Sequence, residues 1–192
     1  MQEIIRQRFE ESARTAAKTL EHLGDRIAQA AAVIIAAYES GGGVFLFGNG
    51  GSAADAQHMA CELVGRFLKE RRALKAEALS TNTSVLTAVA NDCDYEMVFA
   101  RQLEANARPG DVAIGLSTSG NSPNVVAALA RARRMGLKTI AITGRGGGKC
   151  AQAADILLDV PSELTPRVQE STIIIYHVIC ELVENAVTAE KR

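Results

Sequence analysis

The sequence contains no tryptophan, and aromatic residues make up only 4 % of it. That scarcity argues against the stacking platforms that hold single-stranded nucleic acid. A charge excess is also missing, since 21 Lys and Arg stand against 22 Asp and Glu for a formal net charge of -1. The electrostatic footprint of a non-specific nucleic-acid binder is therefore absent, and no nucleic-acid partner is expected. The four cysteines, Cys61, Cys93, Cys150 and Cys180, form no Cys-x-x-Cys pair. A chain of this size is stable without disulfides, so reduced thiols in a cytoplasmic protein are expected. No uninterrupted apolar run approaches the ~20 residues of a membrane span. Met1, Gln2 and Glu3 lead straight into mixed charge rather than a basic leader, so neither a signal peptide nor a membrane partner is expected.

What is present fits one globular unit. The 192 residues are 47 % apolar and 22 % charged, which excludes disorder and fibrous repeats and leaves room for a single domain over residues 1–192. Between Ile4 and Tyr38 there is no proline and one glycine, Gly24, with Ile4, Phe9, Ala16 and Leu20 before it and Ile27, Ala31, Ile34 and Ile35 after it at helical spacing. Two helices with a break near Gly24 and Asp25 are expected. The second, Ile27 to Ala37, is apolar around most of its circumference and must be covered by the domain or by a second subunit. An uncovered stripe of that size would be a liability, so the N-terminal helices, 1–40, are expected to contribute to self-association. Replacing Ile34 and Ile35 with Lys is then expected to dissociate the particle.

After Gly41-Gly42-Gly43 the pattern changes to short β-rich runs, Val44–Phe47, Glu77–Leu79, Val112–Leu116, Thr139–Ile142 and Ile156–Val160, each followed by a turn signal and a helical segment. The alternation predicts an α/β fold, a doubly wound parallel sheet of about five strands flanked by helices. Ligands in such sheets bind beyond the carboxyl ends of the strands, where the strand order reverses.

Two of the loops that follow strands are unusual. In Gly48-Asn49-Gly50-Gly51-Ser52, glycines stand just before a helix, and Ser52 with Asp55 has the spacing of a capping box. Such a loop is either a tight turn with no ligand or an anion cradle in which backbone N–H groups and the helix dipole hold a phosphate. It carries neither a Walker Lys-Ser/Thr nor a Gly-x-Gly-x-x-Gly fingerprint. In Ser117-Thr118-Ser119-Gly120-Asn121-Ser122-Pro123, four hydroxyls crowd one turn, more than capping alone requires, with Pro123 suited to the first helical position and Ser122 to the cap. Gly144-Arg145-Gly146-Gly147-Gly148 reads as a flexible turn.

His58 and Glu62 are four apart on the helix after the first loop, so their side chains share a face about 6 Å apart. That spacing suits one metal ion and is equally common on solvated helices. A last helix, about Arg167 to Val187, holds Gln169 and places His177 inside an apolar run, where a histidine is by default a core residue with one hydrogen bond. The run Lys69, Arg71, Arg72, Lys75 reads as a solvated basic loop, and Arg66 reaches either a substrate phosphate or a surface carboxylate.

The two loops together, Gly48-Asn49-Gly50-Gly51-Ser52 and Ser117-Thr118-Ser119-Gly120-Asn121-Ser122, resemble the sugar-isomerase (SIS) domain family and, within it, the phosphoheptose isomerases. The similarity extends over almost the whole chain, including Asn91-Asp92 and Gln169-Glu170. The resemblance implies an SIS-type fold and conversion of D-sedoheptulose 7-phosphate to D-glycero-D-manno-heptose 7-phosphate, the first step of ADP-heptose synthesis for lipopolysaccharide. It implies a homotetramer with active sites at subunit interfaces. The implied substrate contacts are Asn49, Gly50, Gly51, Ser52, Glu62, Asn91, Asp92, Ser117, Thr118, Ser119, Ser122 and Gln169. It also implies one Zn2+ per subunit on His58, Glu62, Gln169 and His177, with Glu62 as base and His177 as acid. Aldose-ketose exchange moves a proton between C1 and C2 through an enediol, which calls for a base, an acid and an electrophile.

Helix geometry limits that ligand set. Eight residues separate Gln169 from His177 by roughly 12 Å along a helix and about 80° around it. Either Gln169 lies at an irregular helix start, or a neighbouring subunit supplies one ligand. The rival readings are a non-catalytic SIS scaffold for a replication initiator protein and an isomerase of another phosphosugar. Retention of His58, Glu62, His177 and Gly50-Gly51-Ser52 argues against the first. Only resemblance across the chain argues against the second.

Overall fold

The computed structural model describes residues 1–189, so the end of the expected domain, 190–192, lies outside the described residues. The chain opens with α1 (Gln2–Glu39), a single helix where two were expected. Gly24 sits inside it without a break, and a Cβ there would meet only Leu20 Cδ1 at 3.8 Å. A helix-interior glycine costs roughly 1 kcal/mol relative to alanine. Burial of Leu23 and Ile27 on either side of Gly24 outweighs that cost.

There follow β1 (Val44–Gly48), α2 (Gly51–Val64), β2 (Ala76–Ala78), α3 (Thr83–Asp92), a 3-10 turn at Tyr95–Met97 and α4 (Val98–Asn106). The second half is β3 (Val112–Ser117), α5 (Pro123–Arg134), β4 (Lys138–Thr143), α6 (Cys150–Ala153), β5 (Ile156–Asp159) and α7 (Thr165–Ala189). The strands form one parallel sheet in the order β2-β1-β3-β4-β5. Side chains along each strand alternate between two cores. Val44, Leu46, Ile114, Leu116, Ile140 and Ile142 join the core that includes α1, α2 and α7, while Phe45, Phe47, Ala113 and Ala141 join that of α4 and α5.

Residues 27–37 of α1 are covered on one side only. Ile27, Ala30, Ala31, Ile34 and Ala37 are buried in the chain's own core, Ile35 is half-buried, and Ala28, Ala32 and Ala36 face outward. Ile34 is fully buried, so a lysine there unfolds the domain before it reports on association. The apolar surface left open lies instead between α1 and α7, where Ala16, Leu20, Gly24, Ile174, Val178 and Leu182 line a groove. No uninterrupted apolar run in α7 approaches the ~20 residues of a span, yet by length and composition this helix is apolar enough to cross a membrane. In this fold Ile175, Tyr176, Ile179, Cys180 and Val183 of α7 are buried in the core.

The chain leaves β1 toward β2 on one side and returns to β3 on the other, so the strand order reverses between β1 and β3. The loops after these two neighbouring strands flank that point, the place where doubly wound sheets hold ligands.

Candidate active site

The expected Ser52–Asp55 capping box does not form. The N-cap of α2 is Gly50 at φ 55°, with no side-chain cap, and Ser52 is buried in the first turn, its amide donating to the Asn49 carbonyl at 3.0 Å. The cap position demands a left-handed backbone that serine does not readily take. Gly51 lies against the amide end of the Gln169 side chain, which a Cβ there would displace. Gln169 of α7 is thereby brought to the first loop.

Asn49 and Asn124 exchange amide hydrogen bonds, each Nδ2 donating to the other's Oδ1 at 2.8 Å, which ties the first loop to the start of α5. Tyr95 Oη donates to Asn49 Oδ1 at 3.4 Å. Asn91 and Asp92 end α3, exposed, with Asn91 Nδ2 donating to Asp92 Oδ1 at 2.8 Å.

In the second loop Ser122 stands at the N-cap of α5 with Pro123 behind it, but its hydroxyl does not cap; it lies 2.9 Å from Ser117 Oγ. Thr118 is half-buried and Ser119 exposed. Gly144-Arg145-Gly146-Gly147-Gly148 is not the free turn the sequence suggested. The Gly144 amide donates to the Thr118 carbonyl at 3.0 Å, Cys150 N to the Gly120 carbonyl at 2.9 Å, and Lys149 N to Asn121 Oδ1 at 3.1 Å. Gly120, at φ 66°, has no room for a Cβ against the Gly147 carbonyl, so the two loops brace each other.

His58, Glu62 and His177 meet where α2 packs on α7, one ligand-type atom from each lying within 4.8 Å of the others. His58 Nε2 is 3.1 Å from Glu62 Oε1, and the His58 and His177 rings are edge-to-face at 5.0 Å. His177 Nε2 is buried and has no hydrogen-bond partner. A buried polar nitrogen without a partner is costly, and His, His and Glu are the donors a zinc-like ion prefers. The residues present therefore fit a divalent metal. Burial, with a smaller push from the His58 charge, lowers the basicity of His177 against an opposing pull from Glu62. Its imidazole stays neutral at neutral pH, the form that ligates a metal.

The sequence reading missed three side chains around this cluster. Tyr176 Oη lies 2.9 Å from His58 Nδ1, and Phe67 lies 5.4 Å from the His177 ring. Arg71, read as part of a solvated basic run, is buried beneath the site and donates to the carbonyls of Glu62 and Gly65. Its charge pairs with buried Glu184, and the apolar signature of the helix around Glu184 was the only clue that its carboxylate needed such a partner. Arg66 pairs with the surface carboxylate of Glu70 at 3.1 Å.

α7 is regular from Thr165 onward, so the irregular start proposed for Gln169 is not there. Within one chain Gln169 stands at the first loop, and His177 is about 12 Å further along the helix.

The family profile described as SIS domain matches residues 8–144. The phosphoheptose isomerase of Aquifex aeolicus is 54 % identical over 187 residues, 97 % of this chain and 98 % of that protein. Among solved structures, a phosphoheptose isomerase from Neisseria gonorrhoeae superposes with a TM-score of 0.91 at 41 % identity, covering 96 % of this chain and 98 % of that one. One from Francisella tularensis gives 0.92 at 34 % identity, covering 95 % and 97 %.

Proposed function

The chain belongs to the SIS-domain family and, within it, to the phosphoheptose isomerases, and we propose that it converts D-sedoheptulose 7-phosphate to D-glycero-D-manno-heptose 7-phosphate. The observation that carries the chemistry is the meeting of His58, Glu62 and His177 where α2 packs on α7. Glu62 takes a proton from C1 of the ketose and returns it to C2. His177 starts as the neutral imidazole, takes the O1 proton and passes one to O2, and so ends neutral. No proton is gained or lost overall. Glu62 Oε1 faces His58, which leaves Oε2 for the carbon-bound proton.

Zn2+, held by His58, Glu62 and His177, supplies Lewis-acid polarisation of the sugar carbonyl when bound. Gln169 is the fourth ligand in this reading and comes from a second chain, because one regular helix holds it about 12 Å from His177. Asn49, Gly50, Gly51, Ser52, Asn91, Asp92 and Gln169 contact the sugar, with Glu62 at the reacting carbons. Ser117, Thr118, Ser119 and Ser122 grip the phosphate with hydroxyl and backbone donors. The open apolar groove between α1 and α7 supports a homotetramer with active sites at its interfaces. In the cell the reaction is the first step of ADP-heptose synthesis for lipopolysaccharide, in the cytoplasm, with no nucleic-acid or membrane partner. The scaffold alternative finds no support among the relatives, which are isomerases.

Turnover of sedoheptulose 7-phosphate tests the reading, with fructose 6-phosphate and unphosphorylated sedoheptulose alongside. Formation of the aldoheptose phosphate at a kcat/KM far above both controls is expected. Preference for the hexose phosphate, or no turnover, overturns it.

A further inference from the structure

His58 is held from both sides. Its Nε2 faces Glu62 Oε1 at 3.1 Å, and its Nδ1 faces Tyr176 Oη at 2.9 Å. Tyr176 and His177 are consecutive on α7, so their side chains leave the helix about 100° apart and reach the imidazole from different directions. Both rings meet His58 edge-on, Tyr176 at 5.4 Å and His177 at 5.0 Å. His58 itself is exposed, with 46 % of its side chain open, whereas Tyr176 is fully buried. The rigid partner is thus the phenol, and the imidazole is the group it restrains.

A carboxylate only accepts hydrogen bonds, so with Glu62 as its sole Nε2 neighbour His58 carries its proton on Nε2, and Nδ1 accepts from the phenol O–H. A metal needs the lone pair of Nε2 instead. The ring proton must then reside on Nδ1, and whatever faces Nδ1 must accept it. A phenol oxygen both donates and accepts, so it can serve either tautomer.

We propose that Tyr176 is the positioning residue that orients His58 and accommodates the tautomer whose Nε2 lone pair points at the metal site. This rests on the triad being the metal site. One proton leaves Nε2 and one is taken up at Nδ1, so the ring charge does not change. Partners of this kind on metal-ligating histidines are typically worth 10–100-fold in metal affinity.

The test is a zinc affinity, measured by competition with a chromophoric chelator, for the unmodified protein, Tyr176→Phe and His58→Ala. Tyr176→Phe keeps the ring and its packing and removes only the hydroxyl. Tyr176→Phe is expected to bind zinc 10–100-fold more weakly, and the thermal midpoint of the metal-free protein is expected to move by no more than about 4 °C. His58→Ala is expected to lose more. Unchanged affinity in Tyr176→Phe beside a clear loss in His58→Ala overturns the role of Tyr176 alone. Unchanged affinity in both overturns the triad as the metal site, and this proposal with it.

Discussion

Arg71 Nε lies 3.2 Å from Glu184 Oε1, with side-chain exposures of 2 % and 1 %. The pair acts as a clamp on the segment that packs against the His58, Glu62 and His177 cluster. Glu184 accepts from the amides of Phe67, Leu68 and Lys69 at 2.8, 2.6 and 2.8 Å, and Arg71 donates to the carbonyl of Glu62 itself at 2.6 Å. Glu184 thus holds Phe67, which lies against His177, while Arg71 holds the end of the helix bearing His58 and Glu62.

Removing one member of such a pair strands the other as a buried charge. Glu184→Gln is expected to lose about 3–5 kcal/mol of stability in urea unfolding. Burial raises the Glu184 pKa, but the three amides and Arg71 outweigh it and hold the group below its ordinary 4.5. A depressed carboxylate contributes stability that is fully present above the unfolded pKa and is lost as pH falls through the folded one. The unmodified protein should therefore lose stability below about pH 4.5, and Glu184→Gln should show a flatter acid limb. Matching acid limbs would contradict the clamp.

In the proposed reading, phosphate recognition is separable from chemistry. Ser117→Ala removes one hydroxyl of the paired Ser117 and Ser122. A hydrogen bond to a charged group contributes roughly 1.5–3 kcal/mol, so KM for the sugar phosphate should rise about tenfold or more. The value of kcat should change far less. A fall in kcat at constant KM would place Ser117 in the reaction instead.

Association is tested on the outer face of α7. Ile174 is 50 % and Val178 is 40 % exposed in the single chain, so lysine at both leaves the fold intact. Sedimentation should then show monomers, and turnover should vanish with them if Gln169 reaches the metal from a second chain. A fully active monomer would contradict interface sites.

Thiol chemistry follows burial. Burial lifts Cys150 to about 11 and Cys180 to about 12. Cys61 and Cys93 are exposed. Native labelling with a thiol reagent should modify no more than these two, and all four after unfolding. Modification of Cys180 in the folded protein would contradict the packing of α7.

The sheet and the two polar strand-to-helix loops were legible in the sequence, because short β-branched runs ending in glycine or serine clusters alternate with helical segments. The spacing of His58 and Glu62 puts them on one helix face but is equally common on solvated helices, so only the family resemblance singled them out. Arg71 was not legible, since a basic residue within Lys69, Arg71, Arg72 and Lys75 reads as solvated until its distant partner Glu184 is known. Tyr176 was hidden in the apolar run of α7, where its hydroxyl looks incidental. Gly24 misled because helix propensity is weak beside the packing of Leu23 and Ile27. The capping box failed for a backbone reason, the positive φ at Gly50.

In the proposed reading, Glu62 moves the carbon-bound proton in a site completed by a divalent metal. The direct measurement is turnover of sedoheptulose 7-phosphate by the unmodified protein before chelation, after it and on return of zinc, with Glu62→Gln in parallel. Activity should vanish on chelation, return with zinc, and be absent from Glu62→Gln at any zinc concentration. Turnover that persists in Glu62→Gln, or in metal-free protein, would contradict those roles of Glu62 and the metal.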